Sequence, residues 1–158
     1  TTVHSDTNDQ NSRDVKHAKD KRRARAAAVN IIPTSTGAAK AIGKVIPELN
    51  GKLNGFSLRV PTPDVSVVDL NCLMKKAVTK EEINNIFKEA SLSGYKGLVE
   101  YDEDMRVSSD FIGSTQSAIF IPDSTQVVDG NMIKVVAWYD NEWGYTSRLV
   151  DMAKHIGG

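Results

Sequence analysis

The sequence predicts an α+β domain, a mostly antiparallel mixed sheet with helices on one face. Three observations carry that expectation. Short β-prone runs recur along the chain, most clearly Val65 to Leu73, where Val68, Leu70 and Cys72 alternate onto one face. Three other segments carry a helix start or helical apolar spacing, and no stretch repeats. Finally, Asp129-Gly130-Asn131 separates two β-prone runs and is a hairpin signal.

Thr1 to His4 has the character of the end of a β-strand, which places His4 at a strand-to-loop edge. Because the chain opens mid-strand and without Met, it is expected to be the back part of a longer protein. Ser5 to Asp20 is polar and irregular, rich in Asp, Asn and Ser, and a polar loop of that length is usually functional or mobile. It runs into a basic segment, Lys19 to Ala28, read either as a solvated face paired with nearby Asp or as a segment that turns Arg23 or Arg25 toward an anion.

Pro33-Thr34-Ser35-Thr36-Gly37-Ala38-Ala39-Lys40 is written as a helix start, with Ser35 or Thr36 as N-cap. The first turn of such a helix offers unpaired amides and partial positive charge to an anion. Gly37 leaves the backbone open to close approach. The helix runs from about Gly37 to Ile46 and stops at Pro47 to Gly51. Phe56 to Val60 reads as a strand carrying Arg59, and Val65 to Leu73 as the strand already described. Thr79-Lys80-Glu81-Glu82 is a capping box; Ile83, Ile86, Phe87 and Ala90 then stripe a helix over residues 80 to 91. Strands follow near Gly97–Tyr101, Ser117–Ile121, Gln126–Val128 and Met132–Tyr139. A terminal helix closes the chain, its apolar face including Leu149, Val150, Ala153 and Ile156.

Composition narrows the classes of function. The 158 residues suffice to bury a real core, and 40% are hydrophobic, 25% charged, with zero formal net charge. That balance argues against a dedicated nucleic-acid binder, whose affinity rests on surplus cations. No apolar run approaches membrane-spanning length and nothing has the form of a signal peptide, so a cytoplasmic location is expected. A single cysteine, Cys72, excludes an internal disulfide and is expected in the core.

Of the three histidines, His17 lies in the polar loop and His155 near the end of the last helix, both structural readings. His4 stands apart at its strand end, where a general base contributes about 10²–10⁴ in rate. Thr7, Thr36, Gly37, Arg23, Arg25 and Arg59 are the anion-binding candidates and suggest a site for a phosphorylated molecule. No metal-ligand spacing, Walker motif or GxGxxG pattern is present.

Taken together, Thr1-Thr2-Val3-His4-Ser5, Thr7-Asn8-Asp9-Gln10, Arg22 to Ala28, Ile31 to Lys40, Gly51 to Gly55, Arg59 to Pro63 and Trp138 to Tyr145 closely resemble the catalytic half of the phosphorylating glyceraldehyde-3-phosphate dehydrogenase family. The resemblance runs from the first residue nearly to the last. It implies a domain over residues 1–140, with a cofactor-lining loop at 5–28. Residues 141–158 would then be a terminal helix that packs on a dinucleotide-binding domain absent from this sequence.

The resemblance also implies roles. His4 matches the histidine that activates a cysteine thiol and takes the hydroxyl proton as hydride leaves. Thr7 and Arg59 match the site for the substrate's phosphate, with Asp9 ordering it. Arg23, Thr36 and Gly37 match the site for attacking inorganic phosphate. Asn141 matches the residue that bonds the nicotinamide amide, and Tyr145 a neighbour of that ring. Glyceraldehyde 3-phosphate and inorganic phosphate are the implied small molecules, NAD the cofactor with NADP still open, and a homotetramer the assembly.

This sequence departs from the family pattern in four ways. The family's Ser-Cys-Thr-Thr-Asn-Cys motif does not occur, and Cys72 lies in a different strand, so the chain alone is expected to be inactive. The dinucleotide-binding domain is missing. Asp6 stands where the family usually has an aromatic residue, and Val15-Lys16-His17 lacks a proline common in NAD-dependent members. The rival readings are an erythrose-4-phosphate dehydrogenase, disfavoured by the intact Thr36-Gly37-Ala38-Ala39 stretch, and a non-catalytic interaction module.

Overall fold

The computed structural model describes residues 1–17 and 20–158. It is an α+β protein, with strands Thr2–His4 (β1), Ile32–Ser35 (β2), Phe56–Arg59 (β3), Ser66–Leu73 (β4), Val99–Tyr101 (β5), Ala118–Phe120 (β6), Gln126–Val128 (β7) and Met132–Tyr139 (β8). The helices are Ala38–Val45 (α1), Lys80–Leu92 (α2) and Trp143–Gly157 (α3). The chain divides into two compact units, Thr1–Pro63 and Asp64–Gly158.

In the first unit β3 lies between β1 and β2. It runs parallel to β1, with His4 opposite Arg59, and antiparallel to β2, with Ile32 opposite Arg59 and Thr34 opposite Ser57. Side chains alternate across a sheet, so Thr2, His4, Ser57, Arg59 and Thr34 share one face. The pairing continues past the strand ends, with the Val60 amide on the His4 carbonyl at 2.9 Å and the Asp6 amide on the Thr62 carbonyl at 3.0 Å.

The polar loop after β1 is folded upon itself. The Val15 amide bonds the Ala24 carbonyl (2.8 Å), the Ala27 amide bonds the Asn11 carbonyl (2.9 Å), and Ala27 is buried. Asp14 accepts the Ala26 amide at 2.8 Å and Arg25 Nε at 3.1 Å. The expectation that Arg25 turns toward an anion is corrected by this pairing: its side chain is spent on a surface carboxylate. Ala18 and Lys19, where the basic run begins, lie outside the described residues.

Pro33 belongs to β2 rather than ending an element, tolerable because its missing N–H removes only one ladder bond at a strand that pairs with β3. Neither expected N-cap takes that position: Ser35 is the last residue of β2, and Gly37 is the N-cap of α1 with no side-chain cap bond, although the Thr36 hydroxyl accepts the Ala38 amide at 3.2 Å. Gly37, with φ −85° and ψ −6°, is already helical. Gly43 is tightly placed: a Cβ there would sit 3.0 Å from Asn50 Cα, so Asn50 would have to give way.

In the second unit β8 is central. It pairs antiparallel with β4 over eight residues, from Ser66 opposite Tyr139 to Leu73 opposite Met132. β6 pairs antiparallel with β8 and parallel with β5, while β7 and β8 form the expected hairpin, with positive φ at Asp129 and Gly130. Thr79 caps α2 as read, its hydroxyl accepting the Glu82 amide at 3.1 Å and its amide donating to Glu82 Oε2 at 2.7 Å.

Among the described residues, two apolar clusters make the core of this unit. Ile83, Phe120, Ile133 and Val135 pack with Cys72, Val78, Phe87, Tyr101 and Val127; Val65, Phe111 and Ile119 pack with Trp138. Successive residues Ile119 and Phe120 serve different clusters, so β6 is buried on both faces. The α2 stripe is narrower than expected. Ile83 is buried and Phe87 stacks on Phe120 (centroids 4.0 Å apart), whereas Ile86 is 66% exposed. Leu70, expected on one face with Cys72, is also exposed. Val65 begins no strand: its φ of +65° and its amide bond to Asp64 Oδ1 (2.6 Å) make it a kink ahead of β4.

Candidate functional site

His4 ends β1 and Arg59 ends β3, so the parallel register sets the two side by side. The Ser5 carbonyl lies 2.8 Å from His4 Nδ1. A carbonyl only accepts, so Nδ1 carries the proton and Nε2 is the basic nitrogen of the neutral ring. Burial, above all, holds the ring below the usual histidine range; the Arg59 charge acts the same way, and the bond to Ser5 opposes both. The lowered pKa favours the neutral ring.

Beside it runs a hydrogen-bonded series. Arg59 Nη1 donates to Thr7 Oγ1 at 2.7 Å, Thr7 Oγ1 donates to Asp9 Oδ1, and Arg23 Nη1 donates to Asp9 Oδ2. Arg23 Nε also lies 3.6 Å from Asp20 Oδ2. The Thr7 hydroxyl bond, foremost, and the Arg23 and Arg59 charges hold the Asp9 carboxyl below the usual carboxylate range, with burial opposing. Arg59 Nε is buried with no acceptor among the described residues. A buried guanidinium N–H without a partner is costly, and a carboxylate or phosphate oxygen is the kind of group that satisfies it.

The other anion-binding candidates stand at the start of α1. Thr36 and Gly37 carry the chain from β2 into the helix, and a Cβ built at Gly37 would meet no atom within 4 Å. Arg23 is not bonded to Thr36 among the described residues; it is taken by Asp9 and Asp20. The sequence-read residues thus fall into a bonded group, Thr7, Asp9, Arg23 and Arg59 with His4 adjacent, and a helix start, Thr36 and Gly37.

Asn141 and Tyr145 belong to the second unit. They line a cavity of about 310 Å³ together with Ser117, Tyr139, Asp140, Gly144 and Arg148. Ser66, buried, donates to Asn141 Oδ1 at 2.5 Å, which turns the amide NH₂ end away from Ser66. Tyr145, in the same cavity, is 66% exposed. Gly144 permits the close approach behind this cavity: a Cβ there would meet the Gln116 carbonyl oxygen at 2.7 Å.

Two residues here escaped sequence reading. Ser66 was read only as part of a strand. Asp140, 2% exposed, accepts the Glu142 and Trp143 amides at 2.9 and 2.7 Å and the Gly113 amide at 2.9 Å. It thereby fixes both Asn141 and the start of α3. An Asp two or three residues ahead of a helix is a capping signal the sequence did contain. Asp64, Asp140 and Glu142 bring carboxylate oxygens within 4.8 Å of one another. Burial, then the neighbouring Asp64 and Asp140 charges, pushes the Glu142 carboxyl up. Cys72 packs on the cluster around Phe120, and burial pushes its thiol up, which disfavours the thiolate.

The α+β domain thus gathers two arginines, a threonine and an aspartate beside a strand-end histidine. Comparison with known proteins places it more closely. Residues 1–141 match the family model described as glyceraldehyde 3-phosphate dehydrogenase, C-terminal domain. The chain is 57% identical over 156 residues to glyceraldehyde-3-phosphate dehydrogenase of Priestia megaterium and 58% to that of Geobacillus stearothermophilus; each match covers 99% of this chain and 46% of the relative. A cytosolic glyceraldehyde-3-phosphate dehydrogenase of Antirrhinum majus is 53% identical over 156 residues. The chain belongs to the glyceraldehyde 3-phosphate dehydrogenase family and spans about half the length of these relatives.

Proposed function

We propose that this chain is the substrate- and phosphate-binding half of an enzyme that oxidises and phosphorylates glyceraldehyde 3-phosphate to 1,3-bisphosphoglycerate with NAD. The observation that carries this reading is the bonded series Arg59–Thr7–Asp9–Arg23 set against His4. In this reading Arg59 and Thr7 hold the substrate phosphate, with Asp9 ordering them. Arg23, Thr36 and the backbone at Gly37 hold inorganic phosphate at the start of α1. His4 Nε2 takes the proton of the cysteine thiol and then that of the substrate hydroxyl, the cysteine being supplied from outside these 158 residues. Asn141 and Tyr145 hold the nicotinamide of NAD, which when bound accepts the hydride.

The same reading gives residues 1–140 to the catalytic domain and α3 to a contact with the dinucleotide-binding domain. It also makes the protein a cytoplasmic homotetramer. Exposed Leu149, Val150 and Ile156 on α3 support such a contact, because apolar side chains at helical spacing are usually covered. No helix among the described residues is long and apolar enough to cross a membrane.

The test uses the intact gene product. Glyceraldehyde 3-phosphate, phosphate and NAD should yield NADH, and His4→Asn should lower that rate by about 10²–10⁴ while leaving the circular dichroism unchanged. A folded variant of normal activity would remove His4 from the mechanism.

A further inference from the structure

The Thr7 hydroxyl has one proton, and the structure commits it. Thr7 Oγ1 accepts from Arg59 Nη1 at 2.7 Å and gives its proton to Asp9, whose second carboxylate oxygen receives Arg23. Asp9 thus engages one group from each of the two phosphate sites proposed above: Thr7 of one and Arg23 of the other. The ionised oxygens of a phosphate only accept. To receive the Thr7 proton they must take it from Asp9, and at Arg23, whose guanidinium has further N–H donors, they share the cation with the same carboxylate.

We propose that Asp9 is a built-in anion that couples the two phosphate sites antagonistically, so that filling either one weakens the other. The inference rests on the assignment of those sites. When a substrate phosphate draws the Thr7 proton away, Asp9 keeps Arg23 as its remaining strong partner and yields it less readily to inorganic phosphate. When inorganic phosphate takes Arg23, Asp9 depends on Thr7 and the substrate phosphate loses its donor. Linkage makes the two effects equal in size. The position of Asp9 suits this exchange: both it and Arg23 remain partly exposed, with side-chain exposures of 43% and 25%, so either arm can open without unfolding the loop. The proposed product carries a phosphate for each site, and the coupling therefore assists its release.

The experiment measures inorganic phosphate binding to the intact gene product by calorimetry at constant ionic strength, with and without saturating sn-glycerol 3-phosphate as a substrate mimic that cannot be oxidised. In the wild-type protein the phosphate Kd should rise roughly fivefold or more when the mimic is bound, the lower range of inter-site coupling. In Asp9→Asn most of that rise should disappear, because the uncharged side chain no longer competes for Arg23. Asp9→Glu keeps the charge and should restore the coupling. Direct repulsion between the two bound anions is common to all three proteins, so the difference among them isolates Asp9. Equal coupling in wild type and Asp9→Asn would overturn the proposal while leaving the site assignment standing. So would simple loss of phosphate affinity in a folded Asp9→Asn protein whose coupling is intact. Absence of saturable glycerol 3-phosphate binding in the wild-type protein would overturn the site assignment itself, and the proposal with it.

Discussion

His4 illustrates how a single residue acquires its chemistry from position. The strand end gives it burial, the register gives it Arg59 as a neighbour, and the Ser5 carbonyl fixes its tautomer. Its depressed pKa has a consequence for stability. In the unfolded chain the ring titrates near 6.5, so below that pH the unfolded state binds the extra proton and folding is opposed. Stability should accordingly rise with pH up to about 6.5 and then level off as far as this group is concerned. Melting temperatures measured between about pH 5.5 and 7.5 should show this slope. His4→Asn should flatten it; an unchanged slope would place its origin in another group. The strand-end position of His4 was legible because Thr1 to His4 carries a local β signal. Sequence reading did not find the Asp9–Arg23 pairing or the Ser66–Asn141 bond, since partners 14 and 75 positions apart meet only through the tertiary path.

Elements were legible in proportion to how local their signals are. The capping box at Thr79 and the Asp129-Gly130 turn were read correctly because each is complete within a few residues. Thr79→Ala should cost about 1 kcal/mol in denaturant unfolding, since it removes one side of the reciprocal cap. Thr79→Ser should retain most of it. The parallel pairings β1–β3 and β5–β6 had no signature, as pairing direction is decided by crossover connections rather than by composition. Periodicity alone places Ile86 and Leu70 on apolar faces. A helix touches its sheet along a line narrower than the i, i+3, i+4 set, and here Phe87 against Phe120 takes that line. Val65 has strong β character, yet it is held at positive φ by its bond to Asp64, a conformation that costs a β-branched residue of order 1–3 kcal/mol and persists only because its burial in the second cluster over-determines it.

At the scale of the whole molecule, the α+β class was legible because unequal helices and short strands without repeats leave few other solutions. The two-unit division was not, since Pro61-Thr62-Pro63 reads equally as a turn within one domain. The apolar side of α3 was visible as a helical stripe. Its exposure could be learned only from the structure, with Leu149 52% and Ile156 77% accessible.

The double burial of β6 has a further consequence, in the time its backbone takes to exchange with solvent. Ile119 and Phe120 each anchor a different cluster, and the strand has neighbours on both edges. No local opening frees its amides without dismantling both clusters. Amide protons of β6 should therefore exchange only through cooperative unfolding of the second unit, at a free energy matching that from denaturant titration. Those in the last turns of α3 should exchange by fraying, orders of magnitude faster. Hydrogen–deuterium exchange resolved by peptide would decide this, and rapid labelling of 118–120 under native conditions would mean that the two clusters open independently.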